Sequence, residues 1–107
     1  MASQQTERIE AATVVCKANI YFDGKVVSHT VLRGDRKQTV GLIYPGTFTF
    51  NTAAAERMDI IAGNCRVRIA GGEWQTYGPG TAFEVAAQSS FDIAVDEGIT
   101  EYLCSFQ

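Results

Sequence analysis

The chain has 107 residues, 46% of them hydrophobic, with 9 Lys and Arg against 12 Asp and Glu for a net charge of −3. That length supports one domain around one core, and basic residues scattered along the chain exclude a nucleic-acid groove. Cys16, Cys65 and Cys104 are odd in number, widely spaced and each among apolar neighbours, which predicts reduced core thiols and a cytoplasmic location. The opening MASQQTERIE has no apolar run after its charges, and no later segment approaches the roughly 18 apolar residues of a membrane helix. No membrane partner is expected.

Residues 1–12 are polar and alanine-rich, an expected extension with one weak helical turn or a free tail; the extension as a whole covers 1–18 and leads into the first strand. Thr13-Val14-Val15-Cys16 is β-branched and runs toward Asn19-Ile20-Tyr21-Phe22, one strand ending at the turn dipeptide Asp23-Gly24. Lys25 to Leu32 forms the second arm of a hairpin, with Val27, His29 and Val31 on one face and Val26, Ser28 and Thr30 on the other. His29 reads as an inner histidine with its hydrogen bonds met. Gly34 to Lys37 is a polar turn, and Gln38 to Tyr44 a strand that stops at Pro45-Gly46.

Phe48, Phe50 and Thr52 then alternate with Thr47, Thr49 and Asn51, the period of a strand with one buried face. Ala53 to Ala55 link it to a second alternation of Glu56, Met58 and Ile60 that closes at Gly63. The two read as a strand pair with the Glu56 carboxylate at its joint. Cys65, Val67 and Ile69 alternate with Arg66 and Arg68, an apolar inner face and a basic outer one. Glu73 to Tyr77, Thr81 to Ala87 and Phe91 to Val95 are further short strands, and in the last, Tyr102 to Phe106, either Tyr102 and Cys104 or Leu103 faces the core. Nine or ten short strands with turns at near-regular spacing predict an all-β sandwich or barrel.

The segment from Glu56 to Gly63, a Glu and a Gly separated by six residues, and the Gly72, Gly78, Gly80 spacing resemble the two motifs of the cupin superfamily, a small β-barrel or jelly roll. The positions where those motifs carry metal-binding histidines hold Phe50, Thr52 and Phe83, none of which binds a metal as imidazole does. A more detailed resemblance is carried by Asn19, Tyr21-Phe22, Gly24-Lys25-Val26, Ser28, Gly46-x-Phe48-x-Phe50-x-Thr52, Glu56-x-Met58, Gly63, Trp74, Tyr77, Gly80, Phe83-x-Val85 and Tyr102-x-Cys104. Together these resemble the small cupin-like pyrimidine/purine nucleoside phosphorylases, over a cupin-like domain of residues 19–107. The chain departs from that pattern with Phe48 where Tyr is common and Ala86 where Pro follows the Val.

The resemblance implies phosphorolysis of purine and pyrimidine nucleosides to free base and pentose 1-phosphate, with inorganic phosphate as co-substrate and nucleophile and with no metal or other cofactor. Such a reaction needs an anion site, a group to stabilise an oxocarbenium-like sugar and support for the departing base. Lys37 with Thr39 is the first expectation for phosphate, with Lys25 beside them. Glu56 is the carboxylate expected to face the ribosyl cation. Thr52 is expected near it, and Trp74, Tyr77 and Tyr102 offer flat rings and phenols to the base. The same residues have plain structural readings: Glu56 as a surface carboxylate, the lysines as solvated turn residues, the aromatics as core or dimer contacts. A non-catalytic cupin module that binds a small molecule, and a regulatory dimer whose interior is plugged by Phe48, Phe50, Phe83 and Phe91, are the competing expectations. Exposed strand edges predict a homodimer.

Overall fold

The computed structural model describes residues 7–107, so the first part of the expected extension lies outside the described residues. Eleven strands follow in order: β1 (Thr13–Val14), β2 (Asn19–Tyr21), β3 (Val26–Arg33), β4 (Arg36–Ile43), β5 (Gly46–Asn51), β6 (Glu56–Ala62), β7 (Cys65–Ile69), β8 (Trp74–Tyr77), β9 (Ala82–Val85), β10 (Ser90–Val95) and β11 (Thr100–Phe106). All pairings are antiparallel. Seven strands form one sheet in the order β1-β3-β4-β11-β6-β9, with β2 also on β3, and four form a second in the order β5-β10-β7-β8. The ladder does not run from one sheet into the other, so the fold is a two-sheet cupin-like jelly roll with open edges rather than a closed barrel.

Period-2 alternation sends one side of each strand into the space between the sheets. From the seven-stranded sheet come Val26, Ile43, Met58, Ile60, Phe83, Val85, Tyr102 and Cys104; from the other come Phe48, Cys65, Val67, Phe91, Ile93 and Val95. Of the two alternatives for β11, Tyr102 and Cys104 join this core, while Leu103 is buried on the opposite face. Cys16 is exposed, which corrects the expectation of three core thiols, because it lies in the bend between β1 and β2, which pair along the edge of β3. His29 is likewise an outer residue: its Nδ1 stands 3.2 Å from the Val15 carbonyl, on the face of β3 opposite Val26 and Ser28.

Two further expectations change. The expected single strand from Thr13 to Phe22 is two, β1 and β2, both on β3 and separated by a short irregular stretch, with Phe22 beyond them in a 3-10 turn. More consequentially, β5 and β6 are not partners. β5 pairs with β10, whereas β6 pairs with β11 and β9, so Thr52 to Ala55 is a crossover between sheets. It is held by Thr52 N–H to Ser89 O (2.9 Å), Gln88 N–H to Ala53 O (3.2 Å) and Gln107 N–H to Ala55 O (2.9 Å). Three small side chains suit a segment that must pass close to two sheet edges.

Candidate functional site

A cavity of about 220 Å³ lies between the sheets. Its polar wall comes from the larger sheet: Ser28, Thr39, Glu56, Tyr102 and Cys104. Its opposite wall is aromatic, with Phe50 stacked on Phe91 at 5.4 Å between ring centroids and 21° between planes. Tyr21 and Phe106 complete the mouth.

Register explains the polar wall. Tyr102 pairs with Gly41, which in turn pairs with Ser28. A Cβ on Gly41 would lie 2.5 Å from the Val27 carbonyl and 2.7 Å from the Ser28 Cβ, so the missing side chain clears the row that runs from Ser28 to Tyr102. Burial, offset in part by the neighbouring Ser28 hydroxyl, raises the Tyr102 phenol to about 12, and it stays protonated at neutral pH. One row along, Cys104 pairs with Thr39 and with Met58. Glu56 pairs with Phe106 at the end of the sheet and lies within reach of Cys104, whose Sγ is 3.5 Å from Glu56 Oε1. Burial raises the Glu56 pKa above 4.5, and the Cys104 hydrogen bond pulls the other way. Burial and the facing carboxylate raise the Cys104 thiol strongly.

Lys37 and Thr39 share the inner face of β4, two residues apart. Lys37 lies at its outer end, its Nζ 5.2 Å from the centre of the Phe106 ring, so Phe106 separates the lysine from Glu56 at the mouth. Glu56, Thr39 and Tyr102 therefore meet in one cavity with Lys37 on its rim.

The other expected site residues lie elsewhere. Thr52 is buried, donating to Ala86 O at 2.7 Å and accepting from Ser89 N–H at 2.9 Å; both capacities are spent on the crossover. Lys25 borders a separate surface recess with Asp23, Tyr44 and Pro45. Tyr77 packs against Phe83 at 5.0 Å on the β8 side of the core. Trp74 is on the outer face of the four-stranded sheet beneath the guanidiniums of Arg66 and Arg68, at 5.2 and 4.7 Å. Neither ring lines the cavity.

The positions that carry histidines in metal-holding cupins point to packing. Phe50 and Phe83 both contact Phe91, Thr52 is committed as above, and no cluster of three or more His, Cys, Asp or Glu is present among the described residues. This donor set does not fit a metal. Among the described residues no helix is long and apolar enough to cross a membrane.

The sequence reading left out Tyr21, Ser28, Phe50, Phe91 and Cys104 as cavity residues. For Ser28 the signal was present, since it alternates with Val26 on the face that proves to be inner. Tyr21 is fixed by an unusual turn: Phe22, Asp23 and Gly24 all have positive φ, at 53°, 55° and 89°. Only the glycine adopts that region without cost. The turn sets Phe22 against Phe48 and Phe50, with centroids at 5.0 and 5.4 Å, and Tyr21 edge-on to Phe50 at 6.5 Å.

A family model for pyrimidine/purine nucleoside phosphorylases matches residues 16–106. A protein of Cupriavidus pinatubonensis with that name is 55% identical over 104 residues, covering 95% of this chain and 98% of the relative. A crystal structure of a protein of unknown function from Acinetobacter sp. ADP1 superposes with a TM-score of 0.89 at 40% identity, over 94% of this chain and 98% of that one. One from Vibrio parahaemolyticus, also of unknown function, gives 0.82 at 37%, over 90% and 100%. The chain belongs to the pyrimidine/purine nucleoside phosphorylase family.

Proposed function

We propose that the protein cleaves purine and pyrimidine nucleosides with inorganic phosphate, without a metal, in the cavity between its two sheets. Family membership names the reaction class. The observation that carries the assignment to this cavity is Glu56, a half-buried carboxylate with a raised pKa facing a wall of aromatic rings.

In the reaction the bond from C1′ to the base nitrogen breaks, its electron pair leaves with the base, and a phosphate oxygen bonds to C1′. Positive charge grows on the sugar between the two events. Glu56 stabilises that charge, and the low-dielectric surroundings strengthen the interaction. The base lies against Phe50 and Phe91, whose faces accept either ring class because stacking reads area rather than hydrogen-bond pattern. The Tyr102 O–H, still protonated at neutral pH, supports the departing base. Phosphate enters at Lys37 on the rim, beyond Phe106 from Glu56, which keeps the two anions apart, and it reaches the sugar past the Thr39 hydroxyl on the cavity wall. Ligand pockets usually run to about 300–1,000 Å³, so this smaller cavity takes the sugar and leaves part of the base at the mouth beside Tyr21.

The same reading has the enzyme in the cytoplasm as a homodimer. Exposed Val14, Ile20, Leu32 and Val40 on the strands around the sheet edge are the surface a second copy would cover.

The test is release of free base from uridine and from inosine, with and without phosphate, in the presence of a chelator. Base that appears only with phosphate, and pentose 1-phosphate in equal amount, is the expected result. Tight nucleoside binding without turnover would make the protein a binding module instead.

A further inference from the structure

The proposed chemistry leaves one group in the cavity without a task. Cys104 is 4% exposed in the middle of the polar wall, its sulfur 3.5 Å from Glu56 Oε1. Thr39, at the paired position on β4, lines the same wall beside it. Glu56 needs such a contact. It is the first residue of β6, it follows three alanines that cannot wedge it, and the terminal torsion of a Glu side chain is broad and poorly self-defining. Among the described residues Cys104 is its one side-chain hydrogen-bond partner.

We propose that Cys104 is a positioning residue for Glu56: the thiol donates to Oε1 and fixes the carboxylate so that its second oxygen is left for the ribosyl group. The inference rests on the phosphorylase reading of the cavity.

A thiol suits this work better than a hydroxyl. Being a weak donor, it orients the carboxylate without acidifying it as an O–H would. Cys104 is not a nucleophile here, since burial and the facing carboxylate keep it a neutral thiol. The other titratable groups that line the cavity with Glu56 are Tyr102 from β11 and Tyr21 from β2; Lys37 of β4 lies beyond Phe106, and β9 and β10 contribute only Val85 and Phe91.

Two readouts test this on the full chain, one of which needs no turnover. The Glu56 carboxyl is titrated by carbon NMR in the wild type, Cys104→Ala, Cys104→Val and Cys104→Ser, and the pH dependence of kcat/KM is measured in parallel. Ala opens a void and Val fills the space, so their effects on packing differ, yet both remove the donor. Both are expected to raise the Glu56 pKa, move the acid limb of the profile upward, and lower kcat roughly three- to tenfold, the worth of one modest hydrogen bond, with the KM for phosphate unchanged. Ser restores a donor and is expected to bring the Glu56 titration back to or below the wild-type position and to recover most of kcat. A Glu56 titration that stays put in both Ala and Val overturns the proposal, as does a Ser variant that titrates like the Ala one. If the wild type shows no phosphorolysis, the phosphorylase reading falls, while the NMR titration still decides whether Cys104 holds Glu56.

Discussion

Two polar rows cross this molecule, and they have opposite electrostatic characters. On the outer face of the four-stranded sheet, Arg66 pairs with Asp96 at 2.9 Å, Arg68 with Asp92 at 2.8 Å, and Asp92 also accepts from the Thr49 hydroxyl at 2.6 Å. These hydrogen bonds lower both aspartate pKa values. On the inner face of the larger sheet, Glu56 enters none of the ion pairs among the described residues, and its pKa moves up. Paired and solvated charges of the first kind add little to stability and do no chemistry. A desolvated, unpaired carboxylate opposes folding and is worth keeping only where something will use it.

The largest expected contrast comes from exchanging the carboxylate for an amide. Glu56→Gln should reduce phosphate-dependent base release by about 100-fold or more, yet leave resistance to urea at neutral pH equal or greater. The sign follows from linkage: the native pKa lies above the unfolded value near 4.5, so ionisation costs the wild type stability as pH rises from 4.5 through the native value. The Gln variant escapes that loss. Urea midpoints from pH 4 to 8 decide it, and a Gln variant less stable at pH 7 would show that the carboxylate has a stabilising partner.

Lys37→Ala comes next, with an expected rise in the phosphate KM of about tenfold and little change for the nucleoside, read from initial rates at fixed ionic strength. An effect confined to the nucleoside KM would move the anion site elsewhere. Thr52→Val should act on folding, costing about 1–3 kcal/mol in urea unfolding because the Ala86 carbonyl and Ser89 amide lose a buried partner. On the paired row, Asp92→Asn should leave turnover unchanged and lower the unfolding midpoint slightly. Since the native pKa of Asp92 is below 3.8, that difference should be full above pH 3.8 and fade as acid carries the wild type through the lower native value. The smallest effect is a null: Trp74, the one tryptophan, should keep its emission when nucleoside is added. Strong quenching would place the base on the outer face and reverse the contrast between the rows.

The strands themselves were legible, because apolar alternation is imposed directly by burial; Phe48/Phe50, Met58/Ile60 and Cys65/Val67/Ile69 all face as their spacing says. Pairing was not, because alternation tells which side of a strand is buried and nothing about its neighbour. That is why Ala53–Ala55 read as a link within one strand pair, although three alanines carry none of the turn chemistry of a tight hairpin. The site divided along the same line. Glu56, Thr39 and Tyr102 meet because three distant strands lie side by side, β6, β11 and β4, and their identity came from resemblance and not from spacing. Trp74 could have been placed outward from sequence: the Gly71-Gly72 turn sets it opposite Arg68, whose outward direction was already plain.

The alanine crossover has a bearing on how this gene tolerates change. A residue gained or lost between Ala53 and Ala55 would, if it propagated, turn Arg57 inward in place of Glu56 and invert the charge of the cavity. That slip would also drive Met58 and Ile60 into water, at about 1.5–3 kcal/mol each. Strand β6 will therefore keep its frame and let the linker absorb the change. The carboxylate's place is guarded by the apolar residues after it, so the spacing before it can change while the charge stays where it is.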